Sequence, residues 1–551
     1  MKKMKRSSKS FIWTSVCVSV LLSACSQPSG NSATKTNENE STEKTTVSDT
    51  AATNETVVTQ TNQEKARTVI TTDGEVDDMN SVLRALLYAN EMDISGIVLT
   101  SSMYHYAGDK EKGIEPYRWT GTEWIYDFID DYDKVYDNLK AHDSEYPESD
   151  DLRAVTKIGN ITDKGEMEEE TEGSEFLETL FLDNDKRKLY VQTWGGTNTT
   201  ARALKSIEED YKDTDQWEEI QQKIYDKLIL YIILDQDNSY NEYIAKNWPG
   251  LETINDRSNF WHFAYAWQMH SDELNETLKG DWTYENLVKD KGPFMENYAL
   301  MGDGKMIDGE LYEEQRGTQN YLDTNPQYSQ YDFISEGDSP SFLYLVDTGL
   351  RSLEDPSYGG WGSRFGSEND SLYVNNVLDY NPYSEQLEAQ YTLSRWFTDM
   401  QNDFAARVDW TLTDDTESTN QAPSVNVEEG IDIQADAGET VTLTANGEDP
   451  NGDQLTYKWW RYAEADTYED SPVTNESEVE EIDGLQIDVT RQLGENEKLD
   501  TIELENSDTN QTSLVIPEDA ESGDTIHIIV EVQDDGAHQL KHYQRVIITV
   551  K

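Results

Sequence analysis

Residues 67–78 read Arg67-Thr68-Val69-Ile70-Thr71-Thr72-Asp73-Gly74-Glu75-Val76-Asp77-Asp78, and this stretch decides the fold. Thr68 to Thr72 is a β-favouring run. Met79, Val82, Leu83, Leu86 and Leu87 then recur at helical spacing, and Ile94 to Thr100 reads as a second strand. Strand, acidic turn, helix and strand make one unit of an open, mostly parallel α/β sheet. In such sheets ligands bind beyond the carboxyl ends of the strands, which is where Asp73, Asp77 and Asp78 fall. Gly74 tolerates the backbone angles of a tight turn, and Asp77 and Asp78 stand at a helix start, where carboxylates satisfy free N–H groups. The three acids therefore read either as oxygen ligands for a metal or as capping residues with no ion. Spacing does not separate the two, because Asp-x-x-x-Asp-Asp arises by chance about half a time in a chain of this composition.

Two later junctions bear on that choice. Leu189 to Trp194 reads as a strand running into Gly195-Gly196-Thr197-Asn198-Thr199-Thr200-Ala201, a turn and helix start. Gly337-Asp338-Ser339-Pro340-Ser341-Phe342-Leu343-Tyr344-Leu345 sets a lone aspartate ahead of a helix with an apolar stripe. Three such junctions on one sheet edge would supply enough oxygens for a calcium-like ion, which takes about six to eight from carboxylates, backbone carbonyls and water.

In this order the motifs resemble the calcium-dependent nucleoside hydrolases, most closely the divergent nucleoside-hydrolase-like branch found in cellulose-binding surface lipoproteins. The resemblance spans residues 66–412. Further phrases similar to that branch are Trp194 to Asn198, Asn247-Trp248-Pro249-Gly250, Trp361-Gly362-Ser363-Arg364 and Phe404 to Trp410. The resemblance implies Ca²⁺ held by Asp73, Asp78 and Asp338, together with a backbone carbonyl near Asn198 and water. Asp77 would be the general base, taking a proton from water that attacks the anomeric carbon of a ribosyl-like substrate. Two departures stand out. The family motif Asp-x-Asp-x-Gly-x-Asp-Asp has Thr71 at its first acid and Glu75 at its glycine here, and the His that often precedes the late metal-binding Asp is Gly337. The leaving-group acid is thus unassigned, with His105 and His262 as its candidates. A lone histidine is more often structural than catalytic.

Length suggests more than one domain. Met1 to Arg6 is basic, Phe11 to Leu22 is a short apolar run, and Leu22-Ser23-Ala24-Cys25 has the form of a lipobox. Residues 1–25 therefore resemble a bacterial lipoprotein signal peptide, with Cys25 the lipidated first residue of the mature chain. The expected location is the extracellular face of the cell membrane, lipid-anchored. Cys17 and Cys25 are the only cysteines, so cleavage leaves no partner for a disulfide and stability must come from packing. Residues 26–65 are rich in Ser, Thr, Asn, Gln and Glu and too poor in apolar groups to fold, which makes them a disordered tether. The formal net charge of −66 disfavours nucleic-acid binding, since phosphates would be repelled.

The centre of the chain is aromatic. Asn259-Phe260-Trp261-His262-Phe263-Ala264-Tyr265-Ala266-Trp267 favours core over function, because such runs are usually buried. Ser357-Tyr358-Gly359-Gly360-Trp361-Gly362 is a glycine-rich loop whose rings can stack on a sugar, so Tyr358, Trp361 and nearby Arg364 are candidate substrate contacts. Arg364 reads equally as the partner of one of the many acids, and that use is the commoner.

From residue 420 the texture changes to short β-rich segments separated by turns such as Asp449-Pro450-Asn451-Gly452-Asp453. Residues 420–551 read as an all-β, Ig-like sandwich, resembling the C-terminal domain that accompanies the branch. Along Tyr457-Lys458-Trp459-Trp460-Arg461-Tyr462, alternation sets Trp459 on one face and Trp460 and Tyr462 on the other. One face must be core, and the second is either a sugar platform or, the favoured reading, the contact with the first domain.

Two functions follow. The first is a surface-anchored, metal-dependent hydrolase of nucleoside-like or related glycosyl bonds. The second is a non-catalytic binder of cellulose-like polysaccharide on the same scaffold, which Gly337, the aromatic loops and the appended sandwich favour. The ligand is accordingly a nucleoside or a carbohydrate.

Overall fold

Alternation along one strand sets the layers of the first region. In β5 (Leu228–Ile233), Leu228, Leu230 and Ile232 face one apolar cluster while Ile229, Tyr231 and Ile233 face another, and all six residues are buried. A strand that is apolar on both faces belongs inside a sheet covered on both sides, as parallel sheets are. The computed structural model, which describes residues 65–470, 477–482, 485–495 and 497–551, shows that sheet. Its eight strands are β1 (Ala66–Thr72), β2 (Met92–Leu99), β3 (Thr156–Ile158), β4 (Leu189–Thr193), β5, β6 (Glu252–Asp256), β7 (Gly366–Asn369) and β8 (Leu372–Val374). They lie in the order β3-β2-β1-β4-β5-β6-β8-β7, and every pairing but β7 with β8 is parallel. Val69 and Val98 enter the core beneath helices Glu172–Leu182 and Asn198–Tyr211. Ile70, Ile97 and Tyr190 enter the opposite core with α1 (Val76–Leu87) and helices Trp124–His142 and Phe397–Trp410.

The strand order reverses at β1. Chain order runs outward from β1 to β2 and β3 on one side and resumes at β4 on the other. Crevices open at such switch points. The carboxyl ends of the three strands are level there, with Thr72 opposite Leu99 and Thr71 opposite Thr193.

The C-terminal region is all-β. One sheet joins Ser424–Val427, Thr440–Glu448 and Gln511–Val515. The other joins Asp432–Ala435, Lys541–Val550, Thr525–Gln533 and Thr456–Arg461, antiparallel except for the pairing of Asp432–Ala435 with the last strand. Trp459 is 2% exposed in the sandwich core, whereas Trp460 and Tyr462 join the core of the α/β region. The expectation that this second face packs between the two regions therefore holds. Asp379 is the anchor of that contact. It accepts from Arg364 Nε at 2.8 Å, from Arg395 Nη1 at 2.9 Å and from the Tyr462 hydroxyl. A further small sheet spans both regions, pairing β9 (Asp379–Asn381) and β10 (Gln386–Glu388) with Leu485–Arg491 and Glu478–Ile482.

The proposed leader, Cys25 and the tether up to residue 64 lie outside the described residues. Among the described residues no helix is long and apolar enough to cross a membrane.

Candidate metal centre

The switch point gathers the acids. Gly74, at φ +79°, turns the chain out of β1, and a β-carbon there would stand 2.7 Å from Thr120 Oγ1 and 2.9 Å from Trp124 Nε1, so only glycine fits. Asp77 and Asp78 follow in the first turn of α1. After β4, Gly195 brings backbone against Asp73: a β-carbon at 195 would lie 2.8 Å from the Asp73 β-carbon. Trp194 Nε1 donates to Ser341 Oγ at 2.7 Å, and Ser341 Oγ donates to the Asp338 carbonyl at 2.7 Å, which ties the helix Ser339–Leu343 to the end of β4. Asp338 thereby meets the early pair. Asp77, Asp78 and Asp338 each present a carboxylate oxygen, and the three oxygens lie within 4.8 Å of one another.

These carboxylates are buried at 2–9% exposure with no Lys or Arg bonded to them among the described residues. One oxygen of Asp78 accepts from Thr72 Oγ1 at 2.6 Å and from the Asp73 amide at 3.1 Å, and Asp77 Oδ1 accepts from the Asp78 amide at 3.2 Å. Asp73 Oδ2 and Asp338 Oδ2 are buried with no hydrogen-bond partner. Burial raises all four acids, and like charge adds to it. Asp73 is pushed up to about 7 by burial and by Glu75, while Asp77, Asp78 and Asp338 are held well above the ordinary carboxylate range. Buried carboxylates this close stay ionised only with a cation among them, and orphaned acceptor oxygens are what a hard cation takes. The donor set fits a divalent, oxygen-ligated metal.

The other half of the site departs from the expected motif. Thr71 donates Oγ1 to the Gln192 carbonyl at 3.3 Å, inside the sheet. Gly337 faces Phe260, Ala264 and Asp77, so a histidine cannot enter there without displacing them. His105 is fully buried with Nε2 3.8 Å from Glu75, and burial lowers it to about 4, which disfavours the imidazolium form that a strong leaving-group acid would use. His262 lines a different cavity. Glu75, which replaces the motif glycine, accepts from the Tyr265 hydroxyl at 3.1 Å and faces Arg118 at 3.8 Å. Arg118 in turn reaches Glu310 at 2.7 Å and Glu314 at 3.1 Å, and Arg316 reaches Glu310 at 3.3 Å. A closed ion-pair network thus borders the acids.

Three other expected contacts are corrected by their surroundings. Arg364 is bound to Asp379 and to the Leu378 carbonyl. Tyr358 lies edge-on to His527 at 4.9 Å and accepts from Arg545 through its carbonyl, so it packs on the sandwich. Trp361 is 4% exposed within the core of the α/β region. None of the three is a free sugar platform, because the glycine-rich loop they occupy is covered by the C-terminal region. Asn198, near which a backbone carbonyl is the expected ligand, opens the helix Asn198–Tyr211. Its amide nitrogen donates to Ser101, to Asn160 and to the Glu166 carbonyl, and its oxygen accepts from Thr100, so the side chain braces the β2 and β3 loops and not the acids. The aromatic run 260–267 is mostly core, as its composition favours, with Phe260, Phe263 and Trp267 buried.

Two residues that brace the centre lie outside the expected set. Arg84 Nε donates to Glu336 Oε2 at 2.5 Å and Arg84 Nη2 to Glu336 Oε1 at 3.0 Å, and Ser339 Oγ donates to Glu336 at 2.6 Å. The pair clamps the chain on both sides of Asp338. A signal was present: Asp77, Asn80, Ser81 and Arg84 make a polar stripe at helical spacing along α1, and every one of them is buried.

Residues 67–365 match the family described as the nucleoside hydrolase-like domain of cellulose-binding Sde182, and residues 440–550 match the C-terminal domain of cellulose-binding protein Sde0182. Among solved structures, a nucleoside hydrolase-related hypothetical protein from Saccharophagus degradans, associated with carbohydrate metabolism, is 25% identical. The alignment covers 89% of this chain and 100% of that chain, with a TM-score of 0.63. A plant nucleoside hydrolase is 12% identical over 56% of this chain and 87% of its own, with a TM-score of 0.26. No curated protein matches the chain.

Proposed function

The chain belongs to the cellulose-binding Sde182 family with its nucleoside hydrolase-like domain, and from that premise we propose that it binds carbohydrate through a divalent cation of the calcium type. The observation that carries this reading is the convergence of Asp77, Asp78 and Asp338 within 4.8 Å, with the buried Asp338 Oδ2 left unpaired. Asp73, Asp78 and Asp338 would hold the ion, which when bound neutralises the acids, accepts a pair of sugar hydroxyls and acidifies water modestly. The protein's own part is to fix the acids. Thr72 and the Asp73 amide orient Asp78, and the Arg84–Glu336 clamp fixes the approach of Asp338. A carboxylate-lined ion site with a polar, ion-paired rim suits a polyhydroxylated ligand better than a hydrophobic base.

A second reading is hydrolysis of a glycosyl bond, favoured by the place of Asp77 within the cluster, where it would take a proton from water. It requires a leaving group that departs without a strong acid's help, since position 337 offers no acid and His105 is neutral near pH 7.

The test is retention on insoluble cellulose with calcium or with EDTA, alongside a panel of nucleosides. Retention that needs calcium and is lost in Asp78→Asn and Asp338→Asn supports binding. Retention indifferent to both refutes the cation's role, and cleavage of any nucleoside that Asp77→Asn abolishes raises the second reading above the first.

We also infer a lipid anchor at Cys25, a tether over 26–65, an α/β domain over 66–412 and a sandwich over 420–551, which together would present the carbohydrate site outside the cell membrane. Labelling with a radioactive fatty acid, lost in Cys25→Ser, is the check.

A further inference from the structure

The 3₁₀ helix Asn259–Phe263 serves two places. Phe260 lies against Gly337 beside the acids, whereas His262 lines a separate cavity of about 380 Å³ that none of the four aspartates reaches. That volume is at the lower end of the range of about 300–1,000 Å³ for small-molecule sites. The cavity is bounded by His262 and His270 on one side and by Asn381, Tyr383, Glu388 and Gln390, on and around β9 and β10, on the other. Its chemistry is neutral apart from one carboxylate, with no Lys or Arg among the described lining residues. Phosphorylated or acidic ligands have nothing to meet there.

The polar groups are held in place. Glu388 is 7% exposed and accepts from Asn381 Nδ2 at 2.9 Å and from Ser384 Oγ at 2.5 Å, so its orientation is set from within the protein. His270 lines the cavity, while its Nε2 is buried without a hydrogen-bond partner. Burial and the neighbouring His262, with ring centroids 4.9 Å apart, hold His270 well below its ordinary value. It is a neutral imidazole, with one donor and one acceptor nitrogen. Beside these groups Tyr383 lines the cavity and is 52% exposed. Paired donors and acceptors beside an exposed ring are the recognition chemistry of a sugar, whose hydroxyls do both and whose C–H face is apolar.

We propose that this cavity is a second, cation-independent subsite for an uncharged sugar residue, with Glu388 taking hydroxyls and Tyr383 stacking on the ring. The choice of ligand class rests on the reading of the chain as a carbohydrate binder, but the subsite does not use the acid centre. The two are separable. Calorimetric titration of the full-length chain with cellotetraose is run in calcium and in EDTA, on the natural protein and on Glu388→Gln, Tyr383→Ala and Asp338→Asn. Expected is binding that survives EDTA and Asp338→Asn and weakens about tenfold or more in Glu388→Gln, the effect of losing a hydrogen bond to a charged acceptor. Tyr383→Ala, at an exposed position, weakens it without threatening the fold. Binding seen only in calcium and abolished by Asp338→Asn overturns the subsite and leaves the cation reading standing. Binding in EDTA that neither Glu388→Gln nor Tyr383→Ala changes overturns the subsite too, and no binding under either condition overturns both.

Discussion

Gly337 abuts Asp77: a methyl group on the glycine would lie 3.2 Å from Asp77 Oδ2 and 3.1 Å from Phe260 Cδ2. The place where related hydrolases often keep a histidine is filled here by an aromatic wall and the acid itself. Gly337→His is therefore expected to overpack the site, costing about 1–3 kcal/mol, and to create no nucleoside hydrolase. Thermal unfolding and a nucleoside panel measure both. A variant of undiminished melting temperature that cleaves nucleosides would show that the wall yields and that only the acid was lacking.

Four raised carboxylates make the ion-free centre a source of instability. A cation that binds only the folded chain adds about 2.7 kcal/mol at a hundredfold excess over its dissociation constant. Calcium should therefore raise the melting temperature of the natural protein. Asp78→Asn and Asp338→Asn should melt higher than the natural protein in EDTA, since one repelling charge is gone, yet respond little to calcium. Equal calcium shifts in all three proteins would place the ion elsewhere.

The sign of the pH dependence follows from Asp73. Its ordinary value is 3.8 and the folded value is about 7, so between these limits the native state holds a proton that the unfolded chain has released. The unfolded state binds fewer protons, and stability falls as pH rises across that window, with the penalty complete above about pH 7. In EDTA, Asp73→Asn should flatten the decline in melting temperature between about pH 4 and pH 7. Calcium affinity runs the other way, rising with pH until the acids are deprotonated. A melting curve in EDTA that is identical for the two proteins at every pH removes Asp73 from the acid cluster.

Much of the centre was legible because its parts are local. A strand, a glycine turn and acids at a helix start show in a dozen residues, and Asp338 shows in the Gly-Asp-Ser-Pro junction. Its neighbours were not legible, because they are long-range: Glu75 meets Arg118 and Tyr265, and Glu310 arrives from a loop more than two hundred residues on. The loop bearing Tyr358 and Trp361 misled for a related reason. Glycines and rings announce a surface site only if nothing covers them, and here Arg545, His527 and Tyr462 do. In Thr456–Arg461 the alternation of Trp459 and Trp460 carried the needed information, since an aromatic on both faces of a strand requires two packed partners.

Asp379 binds two arginines and a tyrosine from both regions, and though burial alone would raise it, Arg364 and Arg395 hold it below the ordinary carboxylate range. Asp379→Asn leaves two buried guanidinium groups without their counter-charge. Breaking such a pair costs about 3–5 kcal/mol. Because the loss falls on the seam, scanning calorimetry should show one transition for the natural protein and an earlier, separated sandwich transition for the variant. One unshifted transition in both would mean that the seam is held by its apolar contacts alone.

Arg84 tests whether the centre depends on residues that never touch the ion. It grips Glu336 through two nitrogens, stacks over Phe404 at 3.9 Å and donates to the Met400 carbonyl at 3.1 Å, so one planar group joins α1, the chain before Asp338 and the helix Phe397–Trp410. Lysine carries the same charge but cannot form the fork. Arg84→Lys should then lose stability by roughly 1–3 kcal/mol, and calcium affinity by about tenfold, as Asp338 loses its fixed approach. Glu336→Gln, which keeps the shape and removes the charge, separates the two effects. If Asp338 is positioned through this clamp, calcium affinity falls in both variants even at temperatures far below their melting points, whereas a purely structural arginine would lower the melting temperature and leave the affinity of the folded fraction unchanged.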